Sequence, residues 1–140
     1  MYQRIAQIAL VVDDYDDAIE FYTQKLNFEI IEDTKLSDEK RWVLIAPVGA
    51  KECCILLAKA VNERQTNSIG NQTGGRVGFF LHTDDFWRDY NTMKDKEVNF
   101  VRTPTTFEYG TVAVFEDLYG NMWDLIEPNE NNKSLFRTDK

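Results

Sequence analysis

Residues 11–30, VVDDYDDAIEFYTQKLNFEI, and residues 81–101, LHTDDFWRDYNTMKDKEVNFV, carry one pattern twice. Each leaves an apolar stretch, passes through paired aspartates, shows apolar residues at helical spacing and closes on Asn-Phe. In the first copy Asp14 reads as a helix N-cap, and the neighbouring acids favour the positive end of a helix. Ala18, Phe21, Tyr22 and Leu26 then mark the buried face, and Asn27 suits the left-handed residue that follows a helix. In the second copy Asp84-Asp85 opens the helix, and Phe86, Tyr90 and Met93 form its apolar face.

Working outward, a buried strand is expected over 5–12, then strands at 28–33, 41–46 and 53–58, with Pro47 and Gly49 marking the last turn. The second copy predicts strands at 76–83, at 98–102 with a break at Pro104, at 111–116 and at 123–127, the last preceded by a turn at 117–121. WVLIAP (42–47) matches TVAVFE (111–116), and CCILLAK (53–59) matches MWDLIEP (122–128). A β-α-β-β-β order recurring at a fixed offset identifies a duplicated α+β architecture. The chain therefore reads as one domain over 1–128: module one at 1–58, a connector at 59–75 and module two at 76–128. Residues 129–140 read as a polar, frayed tail in which Leu135-Phe136 are placed to dock.

A chain of 140 residues is the usual size of one domain. It buries roughly 68% of the surface its unfolded form exposes, enough for a core without staples. The net charge of −8 repels phosphate backbones and anionic lipid, so nucleic acid and membrane surfaces are poor partners. Cys53 and Cys54 are sequence neighbours that point to opposite faces of a strand, which argues against a mutual disulfide and for a reducing compartment. The first apolar stretch stops at Asp13, too short for a signal peptide or a membrane span. The expected location is cytoplasmic. The glycine-rich run at 69–75 precedes a strand and not a helix, the wrong order for a phosphate loop.

The motif I-A-x-I-x-L-V-V-x-D with a following A-I-x-F-Y and L-x-F, and the motif F-x-D-x-x-G-N-x-W-D-L-I-E-P from Phe115 to Pro128, resemble the vicinal oxygen chelate superfamily. Glyoxalase I, bleomycin-resistance proteins, fosfomycin-resistance enzymes and extradiol dioxygenases belong to that group. The resemblance spans about residues 4–128. It implies two βαβββ modules whose mixed sheets curve around a cleft, and homodimers. In metal-dependent members it implies one ligand from the first and last strand of each module. Those positions fall on Gln7, Ile55, Gly78 and Asp124. Ile55 and Gly78 offer no side-chain donor, so the usual divalent-metal set is incomplete and no cofactor is expected.

Strand alternation supplies an independent reading. Ile8, Leu10 and Val12 are the bulky set expected under the helices, leaving Gln7, Ala9 and Val11 towards a cleft. Phe80 and His82 share the cleft parity with Gly78, and Asp124 and Ile126 do so in the last strand. Cys53, Ile55 and Leu57 are assigned to the same face. Such a surface, apolar with few polar groups, suits a small-molecule pocket. Asp124 reads either as a base or residual ligand near Gln7, or as the ion-pair partner of Arg41 or another cation, without chemistry. His82 reads as a base or as a strand-end histidine, about 13 Å along the strand from Gly78. Glu108, beside Tyr109, is a second carboxylate that either enters the cleft or remains a solvated loop acid. Arg41 and Trp42 suit an anionic and a flat ligand group respectively, and parity sends one of them away.

The reading that follows is a metal-free protein of bleomycin-resistance type that binds a small organic molecule and pairs with itself. The alternatives are a divalent-metal lyase, isomerase or dioxygenase using Gln7, Asp124 and Glu108, and an interaction domain without a ligand.

Overall fold

A computed structural model describes residues 1–133. It divides into two compact units, residues 1–72 and a second beginning at Thr73. The first contains β1 (Gln7–Val12), α1 (Tyr15–Lys25), β2 (Phe28–Lys35), β3 (Arg41–Pro47), β4 (Cys54–Lys59) and a short α2 (Glu63–Thr66). The second contains β5 (Phe79–His82), α3 (Phe86–Asp95), β6 (Phe100–Phe107), β7 (Gly110–Glu116) and β8 (Met122–Pro128). Each unit holds a four-stranded sheet, in the orders β1-β4-β3-β2 and β5-β8-β7-β6. The first and last strands of each unit run parallel, and the other neighbours run antiparallel. This is the expected α+β duplication. Residues 135 and 136, read as a docking pair, lie outside the described residues. No helix among the described residues is long and apolar enough to cross a membrane.

The aspartate pairs start the helices as their chemistry requires. Asp14 accepts from the Asp17 amide at 2.9 Å, and Asp85 accepts from the Arg88 amide at 3.2 Å. Both helices are followed by a left-handed residue, Asn27 at φ 59° and Glu97 at φ 65°. In unit one, Ala18, Phe21, Tyr22 and Leu26 are buried with Leu10, Val12, Val43, Ile45 and Leu57. In unit two the core is a run of rings. Phe79 stacks on Trp123 at 4.4 Å, Trp123 meets Phe115, Phe115 meets Phe100, and Tyr90 joins Phe100 to Phe86. Aromatic pairs of this kind add about 0.5–1.5 kcal/mol each beyond their buried area.

The registers superimpose the two units residue by residue. Leu10 is level with Leu57 and Val43, as Leu81 is level with Leu125 and Ala113. Both second strands slip by one residue at the same place, between Ile30 and Glu32 and between Phe100 and Arg102. A shared bulge is stronger evidence of duplication than the residue identities, because bulges fix where an edge strand bends.

Three expectations need correction. Ile8 keeps the parity of Leu10 but is 52% exposed. Pro104 does not end its strand; β6 runs through it with a second register shift between Arg102 and Thr105. An edge strand tolerates proline because the missing N–H has no ladder partner to lose. The start of the tail is bonded and not frayed. Asn129 and Asn131 donate side-chain amides to the Glu108 carbonyl, at 2.8 and 3.2 Å, and Asn132 donates to the Tyr109 carbonyl at 3.3 Å. These bonds hold the β6–β7 turn, where Gly110 is obligatory: a Cβ there would meet the Glu127 carbonyl oxygen at 2.4 Å.

The connector also contributes to its unit. The Gln72 side chain accepts from the Val11 amide at 2.8 Å and donates to the Ala9 carbonyl at 2.7 Å. It thus supplies both bonds that a neighbouring strand would give to the outer edge of β1.

Candidate functional site

The turn before β8 decides which side chains face away from the helix. Asp117, 5% exposed, accepts from the Tyr119 and Asn121 amides at 3.0 Å each, from the Asn121 side chain, and from Trp123 Nε1 at 3.3 Å. Anchoring Trp123 towards the helix forces Asp124 to the other face. Glu127 adds a second anchor by accepting from the Phe86 amide at 2.9 Å, at the start of α3. Cross-strand partners point to the same face, so the row Phe80, Asp124, Val114, Arg102 runs across the helix-free face of unit two.

The members of this row differ in environment. Phe80 is 62% exposed and Val114 is buried. Asp124 is half-buried and Arg102 is exposed. Burial pushes the Asp124 carboxyl above its ordinary value, and the charge of Arg102 partly offsets this. Among the described residues neither the Asp124 nor the Arg102 side chain makes a hydrogen bond or a contact ion pair. The next row, His82, Ile126 and Val112, supplies an apolar floor in which the last two are buried.

The corresponding row in unit one is Ala9, Leu56, Leu44, Glu32. The counterpart of Asp124 is therefore Leu56 and not Ile55. Ile55 and Leu57, assigned to the binding face from sequence, are level with Ile8 and Leu10 on the helix side, and Leu57 is only 1% exposed. The assignment slipped by one residue because CILLA is apolar throughout and shows no alternation to read.

The remaining candidates separate in the same way. Gln7 begins β1 beside Cys54 and is exposed. Arg41 shares the parity of Val43 and faces the helix. It pairs with Asp33 at 2.6 Å and Asp16 at 2.8 Å and lies over the Tyr15 ring. It is thus neither a ligand group nor the partner of Asp124. Those two carboxylates hold its guanidinium pKa above the ordinary value, while Arg41 holds the Asp33 carboxyl below its own. Trp42 has the opposite parity and shares the helix-free face with Leu44. His82 is exposed and level with Ile126, one same-face step, about 7 Å, from Asp124, because Asp124 is level with Phe80 and not with Gly78. Glu108 and Tyr109 occupy the turn beyond Gly110, which is level with Pro128. That places Glu108 at least about 13 Å along the sheet from Asp124, too far to act with it. Phe107 and Tyr109 stack on each other at 5.5 Å.

Arg102 was not found from sequence. The bulge before it and Pro104 after it erase the alternation that would have shown its face. Gly78 has a local cause: a Cβ there would lie 2.5 Å from Thr73 Cγ2, and the Thr73 hydroxyl is held by the Arg76 carbonyl. The position is filled by a neighbouring methyl. Of the four positions that correspond by register, Gln7, Leu56, Gly78 and Asp124, two carry a donor. Among the described residues no three His, Cys, Asp or Glu side chains converge. This donor set does not fit a three- or four-ligand divalent centre.

Comparison with known proteins gives a consistent picture. The family described as Glyoxalase/Bleomycin resistance protein/Dioxygenase superfamily matches residues 4–125. An uncharacterized protein of Shewanella frigidimarina (strain NCIMB 400) is 56% identical over 131 residues, covering 93% of this chain and 97% of that protein. The crystal structure of UcmS2 superimposes with a TM-score of 0.79 at 30% identity, covering 91% of this chain and 99% of that one. TnmS3, an antibiotic binding protein from Streptomyces sp. CB03234, superimposes with a TM-score of 0.73 at 24% identity, over 91% and 98% of the two chains.

Proposed function

This chain belongs to the Glyoxalase/Bleomycin resistance protein/Dioxygenase superfamily, and from that premise we propose that it binds a small organic molecule without a metal ion. The observation that carries the reading is the helix-free face of module two. There the exposed Phe80 ring lies beside a half-buried carboxylate, Asp124, with no hydrogen-bonding partner, over a floor of Val112, Val114 and Ile126. An aromatic flank, an apolar floor and one unsatisfied polar group are what a flat or amphipathic ligand needs. A half-buried carboxylate gives up part of its hydration without gaining a protein partner, and a ligand donor would offset that loss. TnmS3, which shares the fold, is an antibiotic binding protein. The donor set disfavours the divalent-metal alternative, since Leu56 and Gly78 contribute no ligand atoms.

Pairing of like chains belongs to the same reading. The outer strand β2 exposes Ile30 and Ile31, and an open strand edge invites a second copy. Two free thiols support a reducing compartment such as the cytoplasm as part of this reading.

Two measurements test the proposal. Titrating naphthol, a flat neutral probe, into isotope-labelled protein is expected to shift the amides of 79–81 and 123–125, and Phe80→Ala is expected to abolish the response. Protein purified without chelator is expected to hold substoichiometric divalent ion. A stoichiometric ion that Asp124→Ala releases would overturn the reading in favour of a diverged metal enzyme.

A further inference from the structure

Arg102 extends the site just described. It lies on the same cross-strand row as Asp124, with one strand between them, so their Cα atoms are two strand spacings apart, about 10 Å. The intervening residue, Val114, is buried and apolar, so nothing polar bridges the two charges. Neither side chain has another partner among the described residues. The Arg–Asp ion pairs among the described residues are contact pairs: Arg41 with Asp16 and Asp33, Arg88 with Asp84 and Asp89. The module-one equivalents are Leu56 and Glu32, so the unpaired couple is not inherited from the duplicated scaffold.

We infer that Asp124 and Arg102 bracket a ligand of two-ended chemistry: a planar apolar body against Phe80, a cationic or hydrogen-bond-donating group on Asp124, and a carboxylate or comparable anion on Arg102. A guanidinium presents a planar fork that matches such an anion with two parallel hydrogen bonds. The half-buried carboxylate favours a donor that shares its desolvated setting. A ligand with only one of these groups leaves the other protein charge unsatisfied, and one with the groups reversed meets like charge at both ends. The inference rests on the proposed binding site in module two and adds its ligand class. Arg102 is the specificity residue it introduces.

Four naphthalene probes separate the possibilities when titrated against isotope-labelled protein: naphthol, naphthoic acid, naphthylmethylamine and aminomethyl-naphthoic acid with its two groups at opposite ends. The aminomethyl-naphthoic acid is expected to bind about tenfold more tightly than either singly charged probe, the difference that one satisfied charged contact makes. Arg102→Gln is expected to remove the preference for the acid group while leaving naphthylmethylamine unaffected. Asp124→Asn is expected to do the converse. The amide spectrum of each variant without ligand reports whether its fold is intact. If all four probes bind at Phe80 with equal affinity, the two-ended ligand is overturned and the binding site stands. If none of them binds, naphthol included, the binding site fails and the inference falls with it.

Discussion

The two modules share a scaffold and differ on one face. Strand order, parallel first and last strands, N-capping aspartates and even the bulge in the second strand coincide. Central helix-side strand positions are apolar in both, although module one uses aliphatic residues where module two stacks rings. On the opposite face the same four positions read Ala9, Leu56, Leu44, Glu32 in one module and Phe80, Asp124, Val114, Arg102 in the other. Packing constrains a side chain from every direction, so a duplicated core changes mainly by compensated swaps. An outward face is constrained only by what it meets, and there the copies are free to diverge.

The largest expected effect breaks the comparison at the turn before the last strand. Module one makes it with a Pro47–Ala50 turn bond of 3.0 Å, module two with the buried Asp117 hub. Asp117→Ala strands several buried donors and is expected to cost about 3–5 kcal/mol in urea unfolding. Next comes the register of β4. Leu57→Ala is expected to cost about 2–4 kcal/mol, and Leu56→Ala less than half of that. Equal costs would mean that the face assignment of β4 is wrong.

That register also shows what the sequence discloses. Helix starts were legible because aspartate at an N-cap has a specific physical use, and helix faces because apolar spacing is periodic. The duplication followed from order alone. The helix-free row was only half legible: Asp124 stands out as a charge within an apolar strand, and Phe80 follows by parity. Arg102 did not, since a bulge and a proline flank it, and Leu56 did not, since its strand is apolar on both faces. Asp117 read only as part of a turn, because two of its partners are backbone amides that no residue pattern reveals.

Smaller effects sharpen the contrast. Both helices are followed by a left-handed residue, but module one uses Asn27 and module two uses Glu97. Glu97→Gly is expected to stabilise the protein by about 1 kcal/mol, whereas Asn27→Gly changes little. The smallest effect is one of sign between two aspartates. Arg41 lowers the Asp33 pKa below 3.8, so that pair stabilises above the unfolded value and is lost as pH falls through the folded one. Asp33→Asn is therefore expected to lower Tm at neutral pH, by an amount equivalent to up to about 1 kcal/mol. Burial raises the Asp124 pKa above 3.8, so stability falls as pH rises from there through the folded value. Asp124→Asn is expected to raise Tm at neutral pH, with the gain disappearing below pH 3.8.

The central claim is that ligand chemistry resides on the helix-free face of module two while module one keeps only the scaffold. Amide chemical-shift mapping with aminomethyl-naphthoic acid tests it directly. The account predicts perturbations centred on Phe80, Asp124 and Arg102, with Ala9, Leu56 and Glu32 unmoved. Perturbations centred on the module-one row instead, or spread equally over both, would contradict it.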